Sequence, residues 1–126
     1  MHTAMFRIYS NLEKRRIYLI LKGQMSVDEV KLAATAISHE ADAMGPGFDV
    51  VSELTELGIF SEDARLLLQA AMKMMRQKGL QRVVRVVSDP IAGYQWQRTS
   101  RSTGYLAEET RSMEEAEKVL DKPKNS

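Results

Sequence analysis

The sequence contains no cysteine. That absence removes disulfides, thiolate metal ligands and cysteine nucleophiles together, and it fits a reducing compartment, so a cytoplasmic location is expected. Histidine is almost as scarce. His2 stands at an N-terminus expected to be mobile, and His39 lies between Ser38 and Glu40 with no partner at ligand spacing, so it reads as a solvated surface residue. No metal centre and no cofactor is expected. Charge of one sign is also lacking: 18 basic residues against 17 acidic leave a net +1, which gives no bulk pull toward phosphate backbones. The longest apolar run, Ile17 to Leu21, falls far short of the ~20 residues that span a bilayer. The opening "MHTAMFRIYS" carries no signal-peptide core. A glycine-rich phosphate loop is missing too, since "GPG" at Gly45–Gly47 precedes a strand instead of following one.

What is present is the make-up of an ordinary globular chain. Hydrophobic residues are 44% and charged residues 28% of 126. Length predicts one domain, over 6–120, with 1–5 as an N-terminal extension and 121–126 as a flexible C-terminal tail. Alternation predicts a hairpin of Phe6–Ser10 with Arg16–Lys22, the second strand being apolar on both faces. "SVDE" is a capping box, Ser26 with Glu29, and Val27, Val30, Ala34, Ile37, Ala41 and Met44 continue it as one helical stripe that "GPG" ends. "FDVVSEL" predicts a third strand. "TELGIF" leads to Ser61 and a second helix over about 62–78, with Gly79 as its C-terminal glycine. "RVVRVV" predicts a fourth strand, Pro90 to about Arg101 a short third helix, "TGYLAEE" a fifth strand and "SMEE", Ser112 with Glu115, the start of a last helix. The order β-β-α-β-α-β-α-β-α implies an α/β fold with a central, mostly parallel mixed sheet flanked by helices.

Candidates for chemistry are few. Glu53 with Glu56, or Glu62 with Asp63, are the paired carboxylates, and nothing beside them would raise a pKa for acid–base work, so the chain is not expected to be an enzyme. Arg82 and Arg85 differ by an odd number on one strand and so face opposite sides of the sheet. Arg98 and Arg101, with Arg111, form a weak candidate anion site or a solvated basic rim. Trp96 and Tyr94 are two apart on a helix and cannot share a face. The second helix stands out. Ala64, Leu66, Leu67, Leu68, Ala70, Ala71, Met72, Met74 and Met75 cover well over half its circumference, against the ~100° stripe of an ordinary amphipathic helix. Either its neighbours bury it or it is a contact surface, for a partner or for a second copy of the chain.

The element order and the segment "VVSELTELGIFSEDARL" resemble the STAS domain of the anti-sigma-factor antagonist (SpoIIAA-like) family, as a diverged member. The family reads an apolar pair, Asp-Leu-Ser-Gly, a few apolar residues, then Asp-Ser-Ser/Thr-Gly opening a helix. Val50 and Val51 match the pair, Glu53 falls at the first Asp, Ile59 and Phe60 match the apolar run, and Ser61-Glu62-Asp63-Ala64 falls on the last four. The resemblance implies a non-enzymatic regulatory or scaffolding domain whose protein partner is a kinase-like anti-sigma factor or another signalling protein. The implied contacts are Gly58, Ile59, Phe60, Ser61, Glu62, Asp63 and Arg65, with Met72 and Met75 on the helix face. Asp63 stands where the family carries its phosphoacceptor hydroxyl, and Ser61 carries a hydroxyl two positions earlier. The alternative is a small-molecule or lipid-binding domain with an apolar pocket between the second helix and the sheet.

Overall fold

The computed structural model of the protein describes residues 4–58, 61–88 and 108–122. Its elements are β1 (Met5–Asn11), β2 (Arg16–Gly23), α1 (Val27–Met44), β3 (Phe48–Leu57), α2 (Glu62–Gln77), β4 (Leu80–Val86), β5 (Glu108–Thr110) and α3 (Met113–Asp121). The expected third helix, and the part of "TGYLAEE" before Glu108, lie outside the described residues. The strands stand in chain order, β1-β2-β3-β4-β5. β1 pairs antiparallel with β2, and every later pairing is parallel. This is the expected mixed α/β sheet.

Alternation along the strands divides the core into two layers. Leu21, Val50 and Leu54 pack under α1 and α2, whereas Tyr18, Val51, Val84 and Val86 pack under Ala116 and Leu120 of α3. β2 is covered on both faces, as its continuous apolar run requires. Ala33 is buried on α1 where the stripe pointed to Ala34, which is half-buried at the α2 side.

Caps set the helix ends. Ser26 and Glu29 form the full capping box. Ser112 Oγ accepts from the Glu115 backbone N–H at 3.1 Å. At the other end of α1, Arg15 from the hairpin turn donates to the carbonyls of Met44, Gly45, Pro46 and Gly47 at 2.8–3.1 Å. A cation there satisfies orphan carbonyls and complements the helix dipole. Gly79 ends α2 with φ 108°, and a Cβ there would stand 2.5 Å from the Pro46 Cα, so only glycine fits.

β3 runs three residues past "FDVVSEL", through Leu57. β2 holds this extension after a register shift between Ile20 and Lys22, pairing Lys22 with Glu56 and Gly23 with Leu57. The two side chains of the first pair form an ion pair at 2.9 Å. The extension carries the chain to Gly58, whose N–H donates to the Gly23 carbonyl at 3.0 Å. The start of α2 is therefore placed directly beyond the carboxyl ends of β2 and β3.

Candidate functional site

Ser61 is the N-cap of α2, with extended backbone (φ −65°, ψ 164°), and its Oγ accepts from the Ala64 N–H at 3.2 Å. The cap satisfies one orphan donor and is worth about 1 kcal/mol over alanine. Glu62 and Asp63 follow in the first turn, where the helix dipole favours acids. Both are exposed. Arg65 folds back on Glu62 in a two-point contact, Nε to Oε2 at 3.0 Å and Nη2 to Oε1 at 2.6 Å. The bond to Glu62 raises the Arg65 pKa against a smaller opposing effect of desolvation. Gly58 sits against the β2–α1 connection, where a Cβ would meet Gln24 Oε1 at 3.2 Å. Gly58, Ser61, Glu62, Asp63 and Arg65 thus gather at one end of the fold, with Leu66 half-exposed beside them. Ile59, Phe60, Arg98 and Arg101 lie outside the described residues.

The two methionines assigned to this contact face do not join the cluster. Met75 is 3% exposed and packs with Ile37, Ala41 and Phe48 beneath α1, so it is core and not a partner contact. Its place in the turn of the helix aligns it with buried Ala64 and Leu68, which fixes it inward. Met72 is half-buried and turned toward the sheet, where its Sδ accepts from Arg85 Nη2 at 3.9 Å. Burial and exposure divide the broad apolar helix between them. One side packs under α1, while Leu66 at 49% and Ala70 remain on the outside.

Between α1, α2 and the sheet lies a cavity of about 60 Å³. Leu19 and Leu21 of β2, Ala33 and Ala34 of α1, and Leu68 and Met72 of α2 are among its walls. Its polar lining side chains are Ser52 and Arg85, which are register partners on neighbouring strands. Arg85 is 1% and Ser52 8% exposed. Nothing in "RVVRVV" marked this arginine except its strand parity with Val83, which places it on the α1/α2 face. The volume is well below the ~300–1,000 Å³ of drug-sized sites.

On the opposite face, sequence reading missed an ionic cluster. Arg16, 4% exposed, donates to Glu117 and Asp121 of α3, each at 3.0 Å. The Tyr18 hydroxyl donates to the same Glu117 oxygen at 2.7 Å, and Lys14 reaches the other at 3.2 Å. Burial opposes ionisation of Glu117, but the hydrogen bonds from Tyr18, Arg16 and Lys14 win and hold its pKa below the usual carboxylate range. Burial, reinforced by Glu117, pushes Tyr18 up to about 12. The cluster fastens α3 to the hairpin, and the shared strand face of Arg16 and Tyr18, two residues apart, was its one available signal.

No protein-family model matches the sequence, and no curated protein does. By structure, the chain is similar to an uncharacterized protein of the DUF3478 family with a SpoIIAA-like fold, from Shewanella loihica PV-4. The TM-score is 0.71 over 95% of each chain, at 12% sequence identity. The fold is SpoIIAA-like. Its mixed sheet and the α2 start agree with the architecture implied by the "VVSELTELGIFSEDARL" resemblance, and the low identity fits a diverged SpoIIAA-like chain. Among the described residues, no helix is long and apolar enough to cross a membrane.

Proposed function

We propose that the chain is a non-enzymatic regulatory or scaffolding domain that binds a signalling protein through the start of α2. The observation that carries this reading is the exposed acidic first turn, Glu62 and Asp63, capped by Ser61 and flanked by half-exposed Leu66. In the resembling family the same turn gains negative charge reversibly, by phosphorylation of a hydroxyl. Here the carboxylate of Asp63 supplies charge permanently, so the surface is held in one state. By resemblance, the partner is a kinase-like anti-sigma factor or a similar signalling protein. A second copy of the chain binding through α2 would use Leu66 and Ala70, because Met75 faces inward.

The test is direct binding of a cognate anti-sigma-type kinase, identified from neighbouring genes, to the wild-type chain and to Glu62→Lys/Asp63→Lys. Charge reversal in the first turn is expected to weaken binding about tenfold or more, while Glu114→Lys, at an exposed position of α3, leaves it unchanged. Equal binding of all three proteins, or phosphate transfer from ATP to Ser61, would count against a fixed-charge contact.

A second reading, a small-molecule-binding domain, is supported by the cavity beneath α2 and its two polar side chains. At about 60 Å³ it has no room for a lipid chain as it stands.

A further inference from the structure

We infer that two copies of the chain associate edge to edge through β1, joining their five-stranded sheets into one, with the α1 helices side by side across a two-fold axis. This interface uses neither α2 nor its acidic first turn.

The two edges of the sheet differ. β5 is three residues long and carries Glu108 and Glu109, both exposed. Short length and charge are the usual protections of an open edge. β1 has neither. It runs seven residues, Met5–Asn11, in unbroken register with β2, and Arg7 is its one charge. Among the described residues, no strand pairs with its outer side. Exposed apolar side chains gather at the same place. Of the large hydrophobics left exposed among the described residues, Met5 and Tyr9 are on β1, Leu12 follows it in the turn, and Leu32 is on α1, which packs over β1. Leu66 alone lies elsewhere. Apolar surface beside a row of outward backbone groups suits a partner that adds a strand.

The sequence of β1 fits a copy of itself. Directly opposite side chains share a face, so antiparallel pairing about a two-fold axis must centre on one residue. Ile8 is the midpoint of Met5–Asn11. Centred there, the whole strand pairs: Ile8 meets Ile8, Arg7 meets Tyr9, Phe6 meets Ser10 and Met5 meets Asn11. A register centred on Arg7 would instead set two guanidiniums directly opposite each other. Arg7 against an aromatic ring is a favourable pair, and the guanidinium already lies 5.0 Å from its own Tyr9 ring.

α1 obeys the same symmetry. Ser10 Oγ donates to Glu40 at 3.1 Å, which fixes α1 against the edge. α1 runs in the direction of β1. Two strand residues back from Ser10, at ~3.4 Å each, correspond to four or five helix residues back from Glu40, at ~1.5 Å each. Ala36 therefore stands beside Ile8 at the axis. Leu32 and Glu40, one turn to either side, face each other across it, so exposed Leu32 is covered by the stem of Glu40 from the second copy. A lone added strand would bring no helix to cover Leu32. A second copy does, and that favours a copy of this chain over a peptide.

The experiment combines solution mass with introduced thiols, which are unambiguous in a chain without cysteine. Sedimentation equilibrium of the whole chain is expected to show monomer and dimer in exchange, with dimer favoured as concentration rises. Arg7→Cys is expected to give covalent dimer with a short bismaleimide, because the two thiols would stand on a cross-strand diagonal of ~7–8 Å. Leu66→Cys is expected to give none. Leu32→Glu sets a carboxylate against Glu40 of the second copy and is expected to weaken the dimer about tenfold or more. Leu32→Glu/Glu40→Lys is expected to recover most of that loss. Within one chain these positions are two turns apart, so the recovery requires a second copy. A chain that is monomeric at every concentration overturns the inference and leaves the edge to a strand of another protein. A dimer that cross-links through Leu66→Cys and not through Arg7→Cys, or that ignores Leu32→Glu, overturns it as well.

Discussion

Arg82 and Arg85, three residues apart on β4, serve opposite faces of the sheet. Arg82 donates to the carbonyls of Val119 and Lys122 at 2.9 and 3.0 Å, closing the C-terminal end of α3. Arg85 lies under α2 against Met72. Arg82→Met keeps the stem and removes the donors. It is expected to cost about 1–2 kcal/mol in urea unfolding, since hydrogen bonds from charged donors are worth somewhat more than neutral ones. Amide exchange should speed up at α3 first, and uniform exchange along the chain would contradict this role.

The Arg16–Glu117–Asp121 cluster predicts an acid limb of stability. Glu117 and Asp121 are held below their ordinary values of 4.5 and 3.8. For Glu117, hydrogen bonds outweigh burial, and for Asp121 the bond from Arg16 leads. A lowered carboxylate stabilises the folded state fully above its ordinary pKa and loses that contribution as pH falls through the lowered value. The melting temperature should therefore fall as the pH drops below about 4.5, and Glu117→Gln should flatten that fall. A Glu117→Gln curve as steep as wild type would assign the acid limb elsewhere.

Tyr18 gives the opposite sign. Its pKa is raised from 10.0 to about 12, so its contribution is complete below 10.0 and is lost as pH climbs through that window. Tyr18→Phe should flatten the alkaline limb. At neutral pH it should cost about 1 kcal/mol, because Glu117 keeps its bonds from Arg16 and Lys14.

Gly79 and Gly58 predict contrasting outcomes for one methyl group. Gly79→Ala meets the Pro46 backbone at 2.5 Å with φ at 108°. It should destabilise by about 2 kcal/mol or more. Gly58→Ala meets the end of the Gln24 side chain at 3.2 Å, not backbone, and its φ lies outside the left-handed region. Its cost should stay within about 1 kcal/mol. Thermal unfolding of both variants checks the contrast, and similar losses would show that the approach of Pro46 does not set the cost.

The outer row of α2 can be tested by solution mass. If two copies associate through this helix, Leu66→Glu should shift sedimentation equilibrium toward monomer, since Leu66 is 49% exposed. Met75→Glu instead places a charge in the core and should unfold the chain by about 3 kcal/mol or more. An unchanged mass for Leu66→Glu across concentrations removes α2 as the interface.

The elements with strong local signals were legible in the sequence. Ser26, Ser61 and Ser112 all cap helices where their positions implied, and the strand parity of Arg82 and Arg85 was readable without coordinates. The end of β3 was not, because Thr55 to Leu57 carry mixed signals and become strand through pairing with β2. Nor was the inward aim of Met75 within a helix apolar nearly all round: a periodicity that wide does not say which side meets α1. The polar lining of the cavity and the ionic cluster escaped for a shared reason. Ser52 meets Arg85, and Arg16 meets Glu117, only after strands far apart in sequence are laid side by side or a distant helix docks.

Arg15 ties two events that the chain could otherwise complete separately. It sits at φ 53° in the hairpin turn, and its guanidinium reaches four successive carbonyls at the end of α1. A slip of the hairpin by one residue would turn that side chain away and strip all four acceptors of their donor at once. The end of α1 therefore couples its own capping to the register of the hairpin: the native β1–β2 pairing is the one that brings a donor to the Met44–Gly47 carbonyls.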